Sequence, residues 1–88
     1  MQTPLQTAQK YKNAGNVRFK LGKYNEAIAE YNKAIDICPK ENVEDLAIFY
    51  QNRAAAYEQL VIKLMIPLIE AHKMKIYLNL LMKFINVV

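Results

Sequence analysis

The stretch that decides the fold is AQKYKNAGNVRFKLGKYNEAIAEYNKAIDICPK, residues 8–40. In its first part Tyr11, Ala14, Gly15, Arg18 (by its aliphatic stem), Phe19 and Leu21 recur at three- and four-residue steps, which predicts a helix over residues 8–21. Gly22-Lys23 is the only break in the pattern. Tyr24, Ala27, Ile28, Tyr31, Ala34, Ile35 and Ile37 then keep the same period and predict a second helix over 24–37. Glu26 and Glu30 sit early in it, where carboxylates suit the positive end of the helix dipole. Cys38-Pro39 ends it, because the residue before a proline is pushed out of the helical region. A glycine inside a helix costs ~1 kcal/mol against alanine, so Gly15 implies a packing requirement. With Ala14, Ala27 and Ala34, it predicts two antiparallel helices pressed together at Gly15 and Ala27. Tyr11, Phe19, Tyr24 and Tyr31 would fill the core around that contact.

Outward from this pair, residues 39–43 read as a polar connector and 44–60 as a third helix, with Glu44 and Asp45 in its first turn. Nothing before Pro67 stops that helix, so it can run on to Ile66; a separate C-terminal helix is expected after Pro67. The third helix repeats the first. Tyr11-Lys12-Asn13 returns as Tyr50-Gln51-Asn52, Gly15 as Ala54 and Leu21 as Leu60, all 39 residues on. A period of that size with helix–turn–helix content signals a helical repeat array.

Composition agrees and excludes much else. Two Gly and three Pro in 88 residues cannot supply the turns of an all-β fold. The 53% hydrophobic content excludes a disordered tail. A single cysteine, Cys38, a single histidine, His72, and no serine exclude an internal disulfide, a zinc knuckle and a Ser-based catalytic site; no nucleophile–base pair or metal set points to an enzyme. The net charge of +4 is spread without a run longer than two residues, which does not suit a nucleic-acid partner. No segment reads as a signal peptide, and Lys63, Glu70, Lys73, Lys75 and Lys83 interrupt the apolar C-terminal stretch too often for a bilayer span.

Residues 8–60 resemble the tetratricopeptide repeat (TPR) family. Tyr11, Ala14-Gly15-Asn16, Phe19, Gly22, Tyr24, Ala27, Tyr31, Ala34 and Pro39 stand at the spacing of its signature in a first repeat over 8–40. Tyr50, Asn52, Ala54, Tyr57 and Leu60 fit the first helix of a second, over 44–60. The resemblance implies an all-α fold of about one and a half repeats, preceded by an N-terminal extension over 1–7 and followed by a divergent amphipathic helical segment over 61–88. Within the family, the run Phe49-Tyr50-Gln51-Asn52-Arg53-Ala54-Ala55-Ala56-Tyr57-Glu58-Gln59-Leu60 is similar to the chaperone-binding repeats of mitochondrial outer-membrane import receptors.

That likeness implies a peptide-binding interaction module without catalysis, metal or cofactor, at the cytosolic face of the mitochondrial outer membrane. Its partners would be the C-terminal tails of cytosolic heat-shock chaperones, which end in Glu-Glu-Val-Asp. Lys12, Asn16 and Asn52 are the positions that match the family's carboxylate-binding residues. Lys supplies a point charge and Asn two uncharged N–H donors, which is what a chain-terminal carboxylate and an Asp side chain require. The family's clamp takes two further basic residues from a third repeat. Lys63, Lys73 and Lys75 do not match them, so weakened binding is expected, as in a truncated or alternatively ended form. The alternative is a helical scaffold that binds no peptide and associates with itself.

Smaller expectations complete the reading. Arg53 is expected to pair with Glu58 on the surface, Cys38 to be a small buried residue and His72 to face solvent. In the last segment His72, Lys75, Asn79, Lys83 and Asn86 form one narrow polar stripe, and most of the rest is apolar. So wide an apolar face predicts self-association, with contact to a membrane surface as the alternative.

Overall fold

The computed structural model describes residues 1–87, with side chains through Ile85. It contains three helices in chain order: α1 (Pro4–Lys20), α2 (Tyr24–Ile37) and α3 (Val43–Val87). α1 and α2 form an antiparallel pair, and α3 lies mainly against α2.

α1 begins four residues earlier than the periodicity predicts, so most of the expected N-terminal extension is helix. The reason is local. The Thr3 side chain accepts from the Gln6 backbone N–H at 3.1 Å, and the Gln6 side chain accepts from the Thr3 N–H at 2.9 Å. That reciprocal capping box, followed by Pro4 at the first helical position, nucleates the helix before its apolar stripe starts. At the other end Gly22 takes φ 75°, the left-handed region that Gly tolerates. Its N–H donates to the Phe19 carbonyl, and the Lys23 N–H to that of Arg18, each at 2.9 Å. This pair of hydrogen bonds closes α1 and reverses the chain within three residues. α2 ends at Cys38, extended at ψ 130° before Pro39, as the sequence dictates.

The core comes in two clusters. Ala8, Ala34, Cys38 and Phe49 bury one end of the helix pair against the start of α3. Ala27, Ile28, Tyr31 and Ala56 bury the other, with Phe19 and Leu60 beside them. The glycine contact differs from the expected one: Gly15 is buried, and the group that occupies its missing Cβ is the Tyr31 ring. Ala27 belongs to the cluster containing Ala56 of α3. The tyrosines are also not a uniform core set. Tyr31 is 1% exposed, Tyr11 and Tyr24 are half-buried, and Tyr50, Tyr57 and Tyr77 are exposed.

The largest departure is α3. It runs unbroken for 45 residues, through Leu60 and through Pro67, where a separate helix was expected to start. Residues 61–66 hold no Gly, Asn or Asp to turn the chain. Pro67 removes one backbone donor, leaving the carbonyl of exposed Lys63 to solvent; the cost of about 3 kcal/mol is local, and the helix resumes. From Val61 to Ile85 every residue is exposed. The molecule therefore extends 78 × 22 × 14 Å, with a radius of gyration of 21.3 Å. A compact chain of this length would have about 12 Å. No helix among the described residues is long and apolar enough to cross a membrane.

Candidate functional site

The face of interest is built by α1, α2 and the first third of α3. Asn16 lies on α1, one turn after Lys12, so the two share a side of the helix. Asn52 lies on α3. The structure brings the two asparagines together: Asn52 Nδ2 donates to Asn16 Oδ1 at 3.2 Å. Tyr31 on α2 donates its hydroxyl to the same oxygen at 2.6 Å. One side-chain carbonyl thus ties all three helices. With both of its lone pairs engaged, the Asn16 amide is fixed in orientation, and its Nδ2 donors have no partner among the described residues. Asn16, Phe19, Tyr31, Asn52 and Ala55 line a shallow depression of about 200 Å³ there. Lys12 is half-buried and enters no ion pair among the described residues. Of the three sequence-predicted residues, the two asparagines are in direct contact and Lys12 lies a turn from Asn16 on α1.

Tyr31 is the member of this cluster that periodicity missed. It reads as core because its ring is core, yet its hydroxyl positions Asn16. Burial holds the Tyr31 hydroxyl protonated by pushing its pKa above the usual tyrosine value. The signal available in the sequence was chemical: a tyrosine at a core position needs a partner for its O–H.

Arg53 does not pair with Glu58. It reaches across to α2, where Nη1 donates to Asn32 Oδ1 at 2.9 Å, and its guanidinium lies 4.9 Å from the centre of the Tyr50 ring. Stacking on its own helix points the side chain away from Glu58 and towards Asn32. A further α1–α3 tie runs from Gln9 Nε2 to Asp45 Oδ1 at 2.6 Å. Cys38 is buried, as expected. Burial, and then the charges of Asp45 and Glu41, push its thiol pKa up, opposite to what a reactive thiolate requires. His72 is exposed. Of the predicted polar stripe, His72, Lys75, Asn79 and Lys83 are exposed with the apolar residues around them; the Asn86 side chain lies outside the described residues.

A helix pair closed by a left-handed glycine, followed by a third helix that repeats the first, defines a helical repeat protein. The TPR repeat model matches residues 15–61, more than half of the chain, and the chain belongs to that family of protein–protein interaction modules. It is 59% identical over 56 residues, 64% of this chain and 9% of the relative, to the mitochondrial import receptor subunit TOM70 of Rattus norvegicus; the Homo sapiens protein gives the same figures. It is 46% identical over 59 residues to the DnaJ homolog subfamily C member 7 homolog of Schizosaccharomyces pombe, covering 67% of this chain and 12% of that protein. The chain spans about a tenth of the length of these curated relatives.

Proposed function

We propose that the face carrying Lys12, Asn16 and Asn52 receives the C-terminal carboxylates of an extended peptide, of the kind that ends cytosolic heat-shock chaperones. The observation that carries this reading is the Asn16 amide. Its oxygen accepts from Tyr31 and Asn52, which leaves its two N–H donors for a ligand oxygen beside the depression. Lys12 adds the cation one turn away. The names of the relatives, an import receptor subunit and a DnaJ homolog, support a partner from the chaperone and import machinery and a place of action at the mitochondrial surface.

One cation gives weak binding. Each hydrogen bond to a charged group contributes about 1.5–3 kcal/mol, so lacking the clamp's two further basic residues costs about 3–6 kcal/mol, which takes a micromolar module to about the sub-millimolar range or weaker. Fluorescence anisotropy of a labelled peptide ending in Glu-Glu-Val-Asp tests this. The free-acid peptide should bind, the C-terminal amide should bind about tenfold more weakly or worse, and Lys12→Ala and Asn16→Ala should each reduce binding to the acid form. Equal binding of acid and amide, or binding indifferent to both substitutions, refutes it.

A further inference from the structure

α3 carries a second surface, on the side away from Asn52. From Val43, alternate steps of four and three residues lead to Ile85 through thirteen positions; twelve are apolar, and Lys75 is the exception. All thirteen are exposed, from Val43 at 66% through Leu68 at 72% to Ile85 at 57%. The adjacent set that starts at Glu44 and runs to Lys83 is instead half polar, with Glu44, Gln51, Glu58, His72, Asn79 and Lys83 interspersed among apolar positions. A repeat of 3.5 residues kept over six heptads matches another helix supercoiled along it, where a lipid surface would ask for a broad face at 3.6. Asn52 occupies the heptad position farthest from this seam, and Phe49 and Ala56 face the helix pair, so a helix on the seam leaves both the core and the peptide face untouched.

We propose that the seam's occupant is the α3 helix of a second copy of this chain, running antiparallel about a two-fold axis near Ile66. Three features of the sequence select that arrangement. First, the two halves of α3 carry opposite charge: residues 43–60 are net −2 and residues 61–85 net +3. An antiparallel pair sets unlike halves together twice, whereas a parallel pair stacks +3 on +3. Second, the register centred on residue 66 matches small residues with large ones. Each alanine of the seam takes a larger partner: Ala47 meets Ile85, Ala54 meets Leu78 and Ala71 meets Val61. Third, the seam's one charge finds a partner. Lys75 faces Tyr57, whose ring takes its stem and ammonium, where a parallel pair would press Lys75 against its own copy. Centring the pair one layer nearer the N-terminus instead sets Ala71 against Ala54, pairing small with small.

Sedimentation of the full chain tests the stoichiometry, and disulfide trapping tests the direction. The wild-type chain should sediment as a dimer at micromolar concentration. Leu64→Glu with Leu68→Glu, both exposed in the single chain, should weaken association by about a hundredfold or more. The circular dichroism signal of the packed helices should survive. For direction, Ala54→Cys and Leu78→Cys chains are prepared on a Cys38→Ala background. Mixed together and oxidised they should cross-link to each other, while neither alone cross-links to itself. A wild-type monomer overturns the proposal, including one that instead co-floats with anionic vesicles, and so do trimers or larger species. Self-cross-linking of either variant alone overturns the antiparallel arrangement.

Discussion

Replacing Gly15 by alanine isolates the contact on which the helix pair is built. A Cβ built on Gly15 falls on the Tyr31 ring, overlapping Cε1 and Cδ1. Three effects decide the sign. Alanine is favoured over glycine in a helix interior by about 1 kcal/mol. Overpacking a filled core costs about 1–3 kcal/mol, and the upper part applies because the Tyr31 ring is 1% exposed and has nowhere to go. Displacing the ring also breaks the 2.6 Å bond from its hydroxyl to Asn16, worth about 1 kcal/mol net. The sum is a destabilisation of about 2 kcal/mol, which lowers Tm by about 8–16 °C in a domain of this size. Thermal melts by circular dichroism give the number, and a double-mutant cycle gives the cause. On a Tyr31→Val background, which removes the colliding ring atoms, Gly15→Ala should reverse sign and stabilise by up to about 1 kcal/mol. An unchanged or raised Tm for Gly15→Ala alone, or an equal shift in both backgrounds, refutes the reasoning.

Gly22→Ala should destabilise by about 1–2 kcal/mol through backbone conformation alone, since φ is 75° and nothing lies within 4 Å of the added carbon; Gly22→Asn should cost less in the same melts. Stability should fall at alkaline pH. Cys38 and Tyr31 are neutral when protonated, and the fold raises both above their ordinary values of 9.0 and 10.0. The unfolded chain therefore loses these protons first, and their stabilisation is full below about pH 9 and drains away as pH rises through the raised folded values; Tm measured from pH 7 to 10.5 should show the decline, with its early part absent in Cys38→Ala. The same thiol should react with a disulfide reagent far more slowly in the native chain than in urea. Pro67→Ala should restore the hydrogen bond to the Lys63 carbonyl and raise helical ellipticity without shifting the peptide affinity of the Asn16 face.

What the sequence disclosed depended on whether neighbours or the chain itself decide the structure. The α2 bounds were legible because both ends have local causes, the Gly22 turn and the Cys38-Pro39 stop. The start of α1 was missed because its cause is a capping box outside the apolar pattern. Lys12, Asn16 and Asn52 were picked from the family pattern, and the structure shows why two of them touch; Tyr31 was hidden because one residue serves the core with its ring and the site with its hydroxyl. Arg53 was misassigned because a preference along one helix, towards Glu58, lost to a partner on another, Asn32. The break expected at Pro67 failed because a proline removes one donor without supplying a turn.

The missing turn after Leu60 converts a stacking array into a measuring rod. At about 1.5 Å per residue, a straight helix fixes distances that a loop would leave loose. In the antiparallel dimer Asn52 of one chain lies level with Leu80 of the other, so the two peptide faces stand about 40 Å apart along the axis. Two tails on one partner, joined by a tether of matching span, would then bind in a single bivalent event. Weak single contacts would be raised to an avidity set by the length of α3 rather than by any added cation.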